Sequence, residues 1–203
     1  MKRSFVFAVL LIAVALSAVV AGGGKDSKET VVAGIVFQED QFMKLLSLGY
    51  ADAAKAAGVK VLLGNTGNDQ AKEAELINTY LAQGVAGLAI APLNQETSMP
   101  VLEKASATLK IATTNVTLTN APFIVGGYTS DNANLGATSG AAAGNFIKAK
   151  LGGKAKIAIL QFKSLLPIQS ADRVNGFIDA VKKVCPDVEI VADQDAWLQD
   201  RAV

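Results

Sequence analysis

Short apolar runs alternate with longer amphipathic stretches along most of this chain. Residues 31–37 form a continuous apolar, β-branched run, and the polar turn after it leads into a helical pattern over 41–57 that Gly58 closes. A second run covers 59–63. Asp69 then opens a helix whose Ala71, Ala74, Leu76, Ile77 and Leu81 lie near one face, with Gly84 as its stop. Residues 85–91 predict a third strand, 95–109 a third helix and 111–114 a fourth strand. Strands that are apolar throughout, alternating with helices, predict a parallel sheet covered on both faces. Right-handed crossovers then give a doubly wound lobe.

Pro122 and residues 123–128 predict a fifth strand, after which the rhythm resumes. Asp131 or Asn132 caps a helix of small residues reaching Lys150. A strand over 155–160, a helix over 170–184 and a strand over 188–192 follow. The expected fold class is α/β: a doubly wound parallel-sheet lobe over 31–128, then a partial second α/β lobe over 129–203. The repetition is of supersecondary units, without sequence self-similarity between them.

The chain's start has a different pattern. Lys2 and Arg3 precede an unbroken apolar run over 5–20, and Ala21 to Gly24 are small. That is the layout of a secretory signal peptide, with cleavage expected near Ala21. The run is shorter than the roughly 20 apolar residues a bilayer span needs. Residues 1–21 are therefore read as a signal peptide and 22–30 as a flexible tether of glycine, serine and charge. The expectation is an exported, periplasmic or extracytoplasmic protein that does not span the membrane once its leader is removed.

Composition narrows the chemistry. Lysine and arginine number 19 against 18 acids, so nothing points to nucleic acid or a charged membrane surface. Histidine is absent, which rules out a Ser-His-Asp triad, a Cys-His pair and His-containing zinc sites. The single cysteine, Cys185, cannot form an intrachain disulfide. It reads as a half-buried residue at a helix end before Pro186, with a reactive thiol or covalent dimer as the alternative. No calcium loop is present, and neither metal nor cofactor is expected.

In open α/β sheets, ligands sit beyond the carboxyl ends of the strands. Those ends here read Gln38 to Phe42, Gly64 to Asp69, Pro92 to Asn94, and Asn115. None carries a dinucleotide or nucleotide phosphate loop. Carboxylate, amide and aromatic groups suit a neutral polyhydroxylated ligand: the polar groups meet hydroxyls, and an aromatic face covers the C–H side of a ring. Asn65, Asn68 and Asp69 read as turn and cap residues.

The strings QEDQFMKLLSLGYADAAKAAG, GNTGNDQAKEAELINTYLAQGVAGLAIAP, IATTN, YTSDNANLG and ADRVNGF, in this order, resemble the ribose/galactose-type sugar-binding proteins of ABC transporters. These are type I periplasmic binding proteins, in which two lobes close over a monosaccharide. The resemblance implies that Asp40 accepts from sugar hydroxyls and that Phe42 stacks on one ring face. It makes Asn115 a hydroxyl partner, Arg173 the cleft arginine of the second lobe, and Gln169 a polar neighbour one turn earlier. Trp197 would be the second stacking aromatic, sandwiching the ring against Phe42. For Asp40 and Phe42 the competing roles are a helix cap and a core residue; for Asn115, a turn. Ala91 and Val116 depart from the ribose pattern, and the aromatic pair leans towards a pyranose. The family continues for about another hundred residues, so the resemblance also implies a C-terminally incomplete chain.

The implied function is reversible capture of a pentose or hexose and delivery to an ABC permease, without catalysis or cofactor. The alternatives are a sugar sensor subunit for a chemoreceptor or histidine kinase, and a glycoside hydrolase using Glu39 and Asp40. Adjacent residues poorly match the separations of several ångströms that glycosidase carboxylates need.

Overall fold

A computed structural model describes residues 29–196. The expected signal peptide, most of the tether and Trp197 lie outside the described residues. Every element named below belongs to the unit formed by residues 31–203. In order these are β1 (Val31–Val36), α1 (Gln41–Ala56), β2 (Lys60–Asn65), α2 (Gln70–Ala82), β3 (Gly87–Ile90), α3 (Gln95–Ser106), β4 (Lys110–Thr114) and β5 (Ile124–Tyr128). They are followed by α4 (Asn132–Lys150), β6 (Lys156–Gln161), α5 (Pro167–Val184) and β7 (Glu189–Asp195).

The first five strands form one parallel sheet in the order β2-β1-β3-β4-β5. The order reverses between β1 and β3, and such a switch point leaves a crevice where two neighbouring connections part. Burial follows the apolar runs of the central strands β1, β3 and β4, whereas Leu63 of β2 and Val125 of β5 are exposed at the sheet's edges. Ala33, Ile35, Leu88, Ile90 and Ile111 from the strands meet Ile77 and Tyr80 of α2 and Leu102 and Ala105 of α3 in the main core. Helix α1 makes a separate cluster, in which Met43 packs with Val36, Phe37 and Ala91. Strands β6 and β7 pair in parallel as a second sheet. A doubly wound parallel lobe followed by a smaller α/β lobe is the expected fold class.

Side-chain caps explain most helix starts. Asp40, Asp69 and Asn94 cap α1, α2 and α3, and Asp131 caps α4 by accepting from the Asn134 amide at 3.0 Å. Helix α5 differs. It begins at Pro167, three residues before the expected start, and its N-cap Leu166 makes no side-chain bond. Proline in the first turn lacks an N–H that would otherwise need a partner, so the helix starts without a polar cap.

The second lobe depends on glycine. Gly136 and Gly140 of α4 and Gly176 of α5 sit where a Cβ would lie 2.0, 2.3 and 2.3 Å from the backbone oxygens of Arg173, Phe177 and Ala133. The two helix backbones therefore touch directly. This contact fixes the height of Arg173 on α5, and so carries packing through to the site.

One buried carboxylate shapes the crevice. Glu73 of α2 is fully buried and accepts from the Ser98 hydroxyl at 2.5 Å, the Gln70 amide at 2.9 Å and the Leu93 backbone N–H at 2.8 Å. It ties the β3–α3 connection to α2 with both oxygens hydrogen-bonded, the usual condition for a buried polar group.

Candidate functional site

The strand ends converge as the sheet topology requires. Asp40, Phe42, Asn115, Gln169 and Arg173 all line one cleft of about 340 Å³ between the two lobes. They come from the β1–α1 connection, the first turn of α1, the end of β4 and the start of α5, and span more than half of the chain. Phe37, Gln38, Met43, Phe162, Leu165 and Leu166 complete the lining.

Each side chain is held differently. Asp40 is a helix cap as well as a cleft residue: Oδ1 accepts from the Met43 amide at 2.7 Å, and Oδ2 accepts from the Gln38 side-chain amide. Both carboxylate oxygens are thus oriented, each keeping lone-pair capacity beyond its one bond. The side-chain amide oxygen of Gln38, Oε1, is buried without a partner. Phe42 presents its ring openly, at 56% exposure, which is high for a side chain of its size. Asn115 adopts a left-handed backbone, φ 64°, a region asparagine tolerates better than most residues. Its carbonyl is fastened by the Thr129 hydroxyl at 2.8 Å. Its neighbour Thr114 hydrogen-bonds the Tyr50 phenol, which links α1 to the end of β4. Burial pushes that phenol up to about 12, with the Thr114 bond pulling weakly the other way.

Across the cleft, Gln169 is buried at the base of α5. Arg173 donates from Nε to Asn132 Oδ1 at 2.8 Å and lies 5.2 Å from the centre of the Phe162 ring. A guanidinium held by one bond and by an aromatic face is pre-oriented, and its terminal N–H groups remain to donate. The cleft therefore carries one fixed acid, one fixed base, three amides and three aromatic rings. Glu39 is not part of it: that carboxylate turns to Lys44 at 3.5 Å and accepts from the Asn65 amide at 2.7 Å.

Phe162, Leu165 and Leu166 line the cleft and sequence reasoning did not single them out; Asn132, read only as a possible cap of α4, instead holds Arg173 from behind the lining. The strand-end rule reaches Phe162, because it directly follows β6. No local signal marks Leu165 and Leu166. They enter the cluster of Val36, Phe37 and Met43 from the far lobe, a contact that exists only in three dimensions.

Comparison with known proteins settles the family. A periplasmic binding protein domain matches residues 32–203. The chain belongs to the periplasmic binding protein family. Among its relatives, the xylitol-binding protein of Mycolicibacterium smegmatis is 26% identical over 193 residues, covering 93% of this chain and 53% of that protein. The ABC transporter periplasmic-binding protein YphF of Escherichia coli is 24% identical over 182 residues, covering 87% and 55%. The fructose-binding periplasmic domain of a hybrid two-component system superposes with a TM-score of 0.72 at 22% identity, covering 86% of this chain and 57% of that one. This last likeness is one of fold. The chain spans about half the length of the curated relatives it matches. In this binding-protein fold the cleft lies beyond the carboxyl ends of β1, β4 and β6, where open parallel sheets place ligands.

Proposed function

We propose that this chain captures a monosaccharide, or a polyol of similar size, in the cleft between its lobes and delivers it to an ABC importer. The observation that carries the reading is the convergence of Asp40, Phe42, Asn115, Gln169 and Arg173 on a single cleft of about 340 Å³. That volume is at the small end of the roughly 300–1,000 Å³ range of ligand pockets, which suits one ring. Phe42 covers a C–H face of the sugar, and the Arg173 fork donates to a ring oxygen or hydroxyl. The remaining lone pairs of Asp40 and the amides of Asn115 and Gln169 complete the hydroxyl shell. The unpartnered Gln38 oxygen gains a donor if a small rotation brings it to a ligand hydroxyl.

Function follows from linkage rather than chemistry. A ligand touching both lobes favours the closed arrangement by its differential affinity, and the closed arrangement is what a permease reads. The outward turn of Glu39 leaves Asp40 without a second carboxylate in the cleft, which favours binding over hydrolysis. Residues 1–21, as an export leader, place the protein outside the cytoplasm. The likeness to a periplasmic domain of a two-component system supports a second reading, a sensor that presents the same bound sugar to a signalling partner.

The test is thermal denaturation of the chain alone and with pentoses, hexoses, myo-inositol and xylitol, repeated for Arg173→Ala. A ligand at a hundred times its dissociation constant adds about 2.7 kcal/mol to the folded form. One class of sugar should raise the transition, and Arg173→Ala should remove most of the rise. A transition that no member of the panel moves overturns the proposal.

A further inference from the structure

The cleft has a neighbour. A second cavity of about 310 Å³ lies against it and shares three wall residues, Leu165, Leu166 and Gln169. Among its other walls, the β3–α3 connection, the first turn of α3 and the β4–β5 connection supply the polar side chains of Asn94, Gln95, Glu96 and Thr119, beside an equal number of apolar residues. Amide, carboxylate and hydroxyl groups of this kind are those that would meet further sugar hydroxyls.

The shared wall is firmly held. The backbone N–H groups of Leu165 and Leu166 both donate to the Phe162 carbonyl at 3.1 Å, and Ser170 N–H donates to the Leu166 carbonyl at 2.9 Å. Ser164 N–H is anchored on Asp195 at 3.1 Å. The two leucine side chains pack with Leu93 against the cluster of Phe37, Met43 and Ala91. Branched apolar side chains between two cavities that each present some polar groups satisfy none of a ligand's hydroxyls and obstruct a second ring.

We propose that Leu165 and Leu166 are specificity-determining residues that confine the ligand to one ring, and that the chamber on their other side is a latent subsite for a second ring. The inference rests on the sugar-binding reading above. It makes single-ring selectivity a matter of exclusion by the wall, not of an absence of hydrogen-bonding groups in the chamber.

Calorimetric titration of the chain, of Leu165→Ala and of Leu166→Ala tests it. The probes are D-xylose and D-galactose, with xylobiose as the two-ring counterpart of the first and lactose and melibiose as those of the second. Thr119→Trp, which fills the second chamber, is made alone and combined with Leu166→Ala. Leu165→Val and Leu166→Val replace any alanine variant that does not melt cooperatively. The parent chain should take a monosaccharide and reject the disaccharide containing it. A truncated leucine should tighten disaccharide binding by about tenfold or more. Thr119→Trp should cancel that gain while leaving monosaccharide binding unchanged. A parent chain that binds both classes equally, or a folded leucine variant without the gain, overturns the partition and leaves the sugar reading standing. If no sugar binds to any variant, the sugar reading falls and the partition falls with it.

Discussion

Replacing Gly136 with alanine tests whether direct helix contact sets the second lobe. The new Cβ would lie 2.0 Å from the Arg173 carbonyl oxygen, 2.8 Å from its carbon and 3.0 Å from its Cα, whereas ordinary contact begins near 3.4 Å. Every obstructing atom belongs to backbone, so no rotamer change relieves the clash and the helices must part by more than an ångström. Alanine gains about 1 kcal/mol over glycine from helix propensity. Overpacking costs about 1–3 kcal/mol, with more where neighbours cannot yield. With a backbone clash at the upper end of that cost, the net expectation is a loss of about 2 kcal/mol, large against the roughly 5–15 kcal/mol that holds a typical domain together. Gly49 is the internal control. It lies within α1 and its added Cβ would meet nothing within 4 Å, so Gly49→Ala should stabilise by about 0.5–1 kcal/mol. Two chemically identical substitutions should thus shift the midpoint of urea unfolding, followed by circular dichroism, in opposite directions. Because Arg173 moves with α5, Gly136→Ala should also weaken any ligand that the guanidinium contacts. A Gly136→Ala chain as stable as the parent would refute the argument that backbone contact determines this packing.

Three further outcomes follow from the cleft and its supports. Asp40→Asn keeps the cap and should leave the melting temperature nearly unchanged, whereas Asp40→Ala should cost about 1 kcal/mol; sugar affinity falling in both variants separates the ligand role from the cap, and unchanged affinity in Asp40→Asn removes the ligand role. Glu73→Ala leaves the Leu93 amide and the Ser98 hydroxyl without their buried acceptor, at about 1–3 kcal/mol for each group left unpaired, and a melt within experimental error of the parent's would contradict this. Tyr50 has a folded pKa of about 12 against its usual 10, so its contribution to stability is intact below pH 10 and is lost as pH rises towards 12. Phenolate absorbance of Tyr50→Phe compared with the parent should show that the late-titrating group is missing, and a Tyr50 phenol ionising at pH 10 in the folded chain would count against its burial.

Sequence alone was enough for much of this architecture. The continuous apolar runs dictated parallel strands, since a strand buried on both faces has no polar side to display. Asp69 was legible as a cap, and that of α4 was narrowed to Asp131 or Asn132, because a short side chain reaches its own helix's amides, a local interaction; the structure decides for Asp131. Candidate cleft residues were legible as strand-end polar and aromatic groups, together with a family resemblance. Their gathering into one cleft was not, because it depends on strand order and on how the β6–α5 connection meets β1. Asp40 shows the difference within one residue: its cap bond is written in the spacing to Met43, while its place opposite Arg173 is tertiary. Trp197 lies outside the described residues; Phe162, which follows β6, lies under the Arg173 guanidinium. The start of α5 at Pro167 and the wall made by Leu165 and Leu166 carry no polar signature that a one-dimensional pattern could expose. Local hydrogen bonds and burial periodicity are properties of neighbours along the chain, so the sequence determined the elements and their caps. Only the folded chain decided which loops meet, because contacts between remote residues depend on the packing of every element between them.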